Sequence, residues 1–166
     1  MKRTVTAIIC TLIFAMSLAA CGKANESEDV GDNVQIPAPW TDYATVVEAE
    51  EDAGFDINAP ESIDGYSFDF ARAFDDGMLE LFYTGENGGG ISIRKAEGDG
   101  DISGDYTEYE QTGVVDAGGV DVTVKGDGDG IYLALWSDGG YTYSISVSGA
   151  AAAADDIVEL VSGICG

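Results

Sequence analysis

The residues best spaced for chemistry form one run, Asp99-Gly100-Asp101-Ile102-Ser103-Gly104-Asp105-Tyr106-Thr107-Glu108-Tyr109-Glu110. Calcium takes six to eight oxygen ligands, and a 12-residue loop supplies them from positions 1, 3, 5, 7, 9 and 12 with a glycine at position 6. Here Asp99, Asp101 and Ser103 would offer side-chain oxygens, Asp105 its carbonyl, Thr107 a direct or water-mediated contact, and Glu110 a bidentate carboxylate, with Gly104 at the bend. Such a loop normally sits between two helices, whereas residues 91–95 alternate like a strand and Tyr106 stands where a smaller aliphatic is usual. The competing expectation is therefore an Asx/Ser turn between strands. If calcium binds, its dissociation constant would be about 10⁻⁴–10⁻³ M, the range of extracellular modules.

Other constellations point less sharply. Gly126-Asp127-Gly128-Asp129-Gly130 reads as a hairpin loop, and no glycine-rich stretch leads into a helix or carries the Gly-Lys-Ser/Thr of a phosphate cradle. Tyr141, Tyr143, Trp136 and Trp40 could make a sugar or peptide platform, but strand alternation favours a place in the core. Lys95 or Lys125 with a serine could make a dyad, yet both fall at strand ends, where a solvated charge is ordinary. The chain has no histidine, which removes Ser-His-Asp and Cys-His catalysis and His-ligated zinc. A small carboxylate-dependent hydrolase stays as a lesser alternative, since 31 acidic residues offer many pairs and single out none.

Those acids face 7 lysines and arginines, for a formal charge of -24 over 166 residues. The balance repels a phosphate backbone and argues against nucleic acid as a partner. With 45% hydrophobic residues the chain is too apolar for a disordered acidic tail. Lys2 and Arg3 precede an uncharged apolar run over 5–17, followed by Leu18-Ala19-Ala20-Cys21. Basic start, short apolar stretch and small residues are the order of a signal peptide, and the run is too short to span a bilayer comfortably. The last four residues resemble the lipobox of bacterial lipoproteins, which implies cleavage after residue 20 and a diacylglyceryl group on Cys21. Two acyl chains anchor stably, at about 0.8 kcal/mol per buried CH2. The anchor would be needed, because cleavage removes Lys2 and Arg3 and leaves five cations against all 31 acids. Cys10 would leave with the leader and Cys21 would carry lipid, so Cys165 would be the remaining thiol, small and partly buried, and no internal disulfide is expected.

Residues 21–39 then read as a lipidated cysteine and flexible acidic tether, and 40–166 as one domain. A helix is expected over 40–54, with Thr45 and Glu48 as a capping box and Gly54 as its stop. Strands are expected over 66–74, with Tyr66, Phe68, Phe70 and Phe74 on one face, and over 78–84, 91–95, 106–115, 120–125, 131–136 and 141–147. A second helix from about Ala150 carries Ile157, Leu160, Val161 and Ile164 on one stripe. The expected fold class is α+β: an antiparallel meander of about six strands, packed by an N-terminal and a C-terminal helix.

In combination, Ala53-Gly54-Phe55, Pro60-Glu61-Ser62-Ile63, Ile91-Ser92-Ile93-Arg94-Lys95, Asp101-Ile102-Ser103-Gly104-Asp105-Tyr106, Ala134-Leu135-Trp136 and Tyr141-Thr142-Tyr143-Ser144-Ile145 resemble a bacterial domain of unknown function. That domain occurs in Gram-positive lipoproteins and in the extracytoplasmic part of some membrane-bound anti-sigma factors. The resemblance spans 40–163. It implies a non-enzymatic, extracytoplasmic module that binds or senses an unknown ligand or envelope partner, and it brings no catalytic residues. This chain lacks the sigma-binding region of the anti-sigma members.

Overall fold

The computed structural model describes residues 38–86, 88–128 and 130–165. The expected leader, Cys21 as the expected lipid acceptor, and the expected tether up to residue 37 lie outside them. The domain is α+β, with nine strands rather than six in one antiparallel sheet.

The first element is a strand where a helix was expected. β1 (Trp40–Tyr43) pairs with β3 (Tyr66–Phe74), Trp40 opposite Phe74 and Tyr43 opposite Ala71. Trp, Thr and Tyr suit a pleated surface, and the strand is held by Trp40 packed on Phe74 at 5.7 Å. Helix α1 (Val46–Ala53) begins only after it. The Thr45 hydroxyl accepts from Glu48 N and donates to the Glu48 carboxylate at 2.7 Å, so the expected cap forms. Gly54 closes the helix at φ 83°, its N–H reaching Glu50 O. Ala49 faces the sheet, whereas Val47 is exposed.

A two-residue β2 (Ser62–Ile63) precedes β3, which is followed by β4 (Met78–Gly85), β5 (Gly90–Glu97), β6 (Gln111–Asp116), β7 (Asp121–Asp127), β8 (Gly130–Asp138) and β9 (Tyr141–Ser148). The spatial order is β1-β3-β4-β5-β9-β8-β7-β6, with β2 against β3. Two meanders, β1 to β5 and β6 to β9, are thus joined along β5 and β9. The chain must therefore carry 98–110 from the middle of the sheet to its far edge, across β9, β8 and β7. With strands about 4.8 Å apart, a dozen residues make the crossing easily. Residues 106–110 belong to this crossover, so β6 starts at Gln111 instead of Tyr106.

β3 does not keep one aromatic face. A bulge shifts the register between Phe68 and Phe70, and a bulge of one residue turns every later side chain to the opposite face. Phe68 meets Tyr83 edge-on at 5.7 Å, while Phe70 stacks on Phe82 at 4.3 Å. Tyr83 and Phe82 are successive residues of β4, so the two contacts lie on opposite sides of the sheet.

Helix α2 (Ala154–Cys165) starts later than expected. Ala152 makes two backbone bonds of 2.9 Å to Ile131, which hold the preceding alanines as an extended addition to β8. Ile157, Val161 and Ile164 then pack against Ile145, Ala134 and Trp136 in the main core. Leu160, expected on the same stripe, is only half-buried. Among the described residues no helix is long and apolar enough to cross a membrane.

Candidate functional site

The run 99–110 is the crossover itself, bound down on the sheet face opposite the helices. Asp101 Oδ1 accepts from Ser103 N at 3.0 Å and from the Ser103 hydroxyl at 2.5 Å; Ser103 Oγ accepts from Asp105 N at 3.2 Å. Asp105 Oδ1 accepts from Thr107 N at 2.8 Å, and its Oδ2 from the Tyr109 hydroxyl. These are successive Asx and Ser turns, each short side chain satisfying an N–H two residues on. The oxygens of Asp101, Ser103 and Asp105 thus already face donors within the loop. Asp99, Thr107 and Glu110 are exposed, and among the described residues no three Cys, Asp or Glu side chains gather at metal-binding range. Gly104, at φ 66°, leaves room for Arg94, whose Nη1 would lie 2.9 Å from a Cβ there.

Arg94 holds this crossover. Its Nη1 donates to Ile102 O at 3.0 Å and Ser103 O at 2.7 Å, while its Nε donates to Glu80 Oε1 at 2.8 Å. Thr142 Oγ1 donates to Gly100 O, Lys125 lies 3.5 Å from Asp101, and Tyr109 stacks on Tyr132. From Arg94 a row of alternating charges runs away from the crossover over four neighbouring strands: Arg94, Glu80, Arg72 and Asp42 occupy successive partner positions. Glu80 is 2% exposed; its Oε2 lies 3.9 Å from Arg72 Nη1 and has no hydrogen-bond donor among the described residues. Arg72 also spreads over the Trp40 ring at 4.8 Å. Burial pushes Asp101 up, but Ser103 and Lys125 outweigh it and hold the carboxyl below its usual range. Donors from Thr107 and Tyr109 lower Asp105 likewise.

On the helix face, Lys95 is buried, contrary to the expectation of a solvated strand end. Its ammonium donates to Asp56 O and lies over Tyr141 at 4.2 Å, with Phe55 and Tyr143 at 5.3 and 5.5 Å. Burial depresses its pKa, with Asp56, Glu50 and Asp138 pulling the other way. Trp136 and Tyr143 stack in the core at 4.9 Å, and Trp136 Nε1 points at Cys165 Sγ at 3.2 Å. Burial raises that thiol despite the indole N–H, so it is not an activated nucleophile.

A cavity of about 670 Å³ opens between 58–66 and the start of α2, within the range of small-ligand clefts. Its apolar surface includes Pro60, Ile63, Ile91, Val147 and Leu160, while Asp64, Asp156 and Glu159 stand exposed at the rim. No lysine or arginine lines it. The space exists because the facing residues are small: Ala59, Ala150 and Ala151 on the walls and Gly163 on the helix, where an added Cβ would meet nothing within 4 Å. Both walls are fixed. Tyr83, 1% exposed, donates from its hydroxyl to Pro60 O at 2.8 Å, and Asn58 Nδ2 reaches Ile164 O at 3.3 Å. Opposite, Ala151 packs so closely on Gly130 that a Cβ at 130 would fall 2.0 Å from Ala151 Cβ. Nothing at the level of motifs marks this cleft. The one signal in the residue order is a second stripe on α2, Asp156, Glu159, Leu160 and Gly163, beside the apolar one.

The chain matches no curated protein and no solved structure. Residues 63–164, nearly all of the sheet together with helix α2, match the profile of a domain of unknown function, and the chain belongs to that family, DUF4367.

Proposed function

We propose that the protein is a lipid-anchored, extracytoplasmic module that binds a small ligand and performs no covalent chemistry. The observation that carries the binding half is the cleft: about 670 Å³, lined by polar and apolar groups in similar measure, with walls fixed by Tyr83 and by the Ala152 ladder. A preformed concave site of this kind binds without reorganisation. The non-enzymatic half is supported by the chemistry of the reactive groups: the Lys95 ammonium is engaged by a carbonyl and aromatic rings, and the Cys165 thiol is held protonated. The lipid half rests on Leu18-Ala19-Ala20-Cys21 after an apolar run, and on the need of so acidic a body for an anchor other than charge. The resemblance to Gram-positive lipoproteins and anti-sigma ectodomains agrees with that address.

Two measurements test it. The full chain should label with a fatty acid and sediment with membranes, and Cys21→Ala should abolish both; a Cys21→Ala protein that stays labelled and membrane-bound overturns the anchor. A neutral solvatochromic dye should bind the folded protein and be displaced by Gly163→Trp, which fills the cleft. Equal dye binding in the variant overturns the cleft as the binding site.

A further inference from the structure

The lining of the cleft also bears on the chemistry of its ligand, an inference that rests on the cleft being the binding site. We infer that the site takes a small cationic amphiphile, with an apolar body inside the cleft and an amine or related cation at its mouth. Three features converge on that chemistry. About half of the lining is hydrocarbon, supplied by residues such as Pro60, Ile91, Val147 and Leu160, which favours an alkyl or aromatic body. The charged side chains around the opening, Asp64, Asp156 and Glu159, are all acids, contributed from both walls, and no lysine or arginine lines the cavity. Asp156 and Glu159 lie three apart on α2 and so stand on one helix face, directly above Leu160 and Gly163 of the same face. A cation at the mouth would find only carboxylates as its charged neighbours, with Gly163 among the residues that line the cavity below.

The rim differs from the general acidity of the chain in a testable way. A protein this acidic attracts any cation weakly at long range, and that attraction would not depend on three particular residues. A built site depends on them and on the cavity below. An anionic amphiphile would bring its head against the three acids and is rejected; a neutral one would gain only the interior.

The experiment uses octylamine, octanol and octanoate, one tail with three head charges, titrated calorimetrically into the full chain. The expected order is amine, then alcohol, then carboxylate, with amine over carboxylate by about tenfold or more, narrowing as salt is added. Asp64→Asn, Asp156→Asn and Glu159→Gln combined should erase the preference among the three heads. Gly163→Trp should block all three, with Gly163→Leu as a second, smaller plug should the tryptophan disturb folding. Equal binding of the three heads, or an amine preference that survives the triple variant, overturns the cation assignment and leaves the cleft as a binding site. Failure of all three probes to bind in a plug-sensitive way overturns the cleft itself.

Discussion

The two faces of the sheet are both buried, but by different physics. On one, α1 and α2 cover Leu81, Ile93, Ile145, Val122 and Trp136, an apolar layer closed by hydrophobic packing. On the other, the crossover 98–110, tied down by hydrogen bonds from Arg94 and Thr142, lies over a layer in which Glu80, Thr142 and Ser144 are buried. The first cover needs only apolar area. The second rests on partners for buried polar atoms: Arg94 serves Glu80 and two loop carbonyls at once, while Glu80 Oε2 and Ser144 Oγ find no hydrogen-bond partner among the described residues. One face is therefore tolerant in detail and the other hinges on a few groups.

The largest effect should come from removing the hinge of the polar face. Arg94→Met leaves buried Glu80 with only the more distant Arg72 as a cation and Ser92 as a donor, and two carbonyls undone, and should cost about 3–5 kcal/mol in denaturant unfolding. Pairing it with Glu80→Leu should recover a large part, because the orphaned charge is gone. If the single and double variants are equally unstable, the polar face is held by something other than this pair.

The apolar face should answer with a simple cavity cost. Leu81→Ala removes a fully buried side chain and should cost about 3 kcal/mol, within the 2–5 of such truncations, with little dependence on pH or salt. A strong salt dependence would erase the distinction between the two faces.

A smaller effect separates them at high pH. Burial pushes the Tyr83 hydroxyl up to about 12 from 10.0. A folded pKa above the unfolded one gives stability that is complete below pH 10 and lost as pH rises through 12, here about 2 kcal/mol. Tyr83→Phe should cost about 1 kcal/mol at neutral pH through the lost bond to Pro60 and flatten the alkaline loss. An unchanged alkaline slope in the variant would assign that loss elsewhere.

The smallest effect belongs to the crossover turns. Asp101 and Asp105 are held below their ordinary range, so their contribution is complete above about pH 4 and fades as pH falls through the folded values. Amide exchange at Ser103, Asp105 and Thr107 should accelerate in acid, corrected for intrinsic rate, while amides of β4 stay protected. Millimolar calcium should leave both exchange and melting temperature where EDTA leaves them. A clear rise with calcium would make 99–110 a metal loop after all.

What could be read from residue order divides along the same line. Period-two alternation marks β3, β5, β7 and β9, the turn at Asp75-Asp76-Gly77 marks the return into β4, a continuous apolar run marks β8, and Thr45, Glu48 and Gly54 mark α1, because these signals are local. The flip at Phe70 is not visible in the residue order, since a bulge depends on the partner strand, and neither is the crossover, since it depends on strand order. Ser144 and Thr142 alternate like solvent-facing residues and are nonetheless buried, 1% and 3% exposed, because a distant loop lies on them. Lys95, expected at a solvated strand end, is buried for the same reason: α1's exit and β9 close around it from far along the chain. The cleft, formed by alanines, a glycine and the gap between them, has no motif to find.

The joint between β5 and β9 also governs how the chain reaches this state. Each meander closes hairpin by hairpin over short distances, whereas β5 and β9 pair residues up to 58 apart in sequence. Closing that long loop costs chain entropy before any contact returns it, so the seam is where the folding barrier should be set. Substitutions at Ile93 or Ile145 would then slow folding, whereas equal losses in the outer hairpins would mainly hasten unfolding.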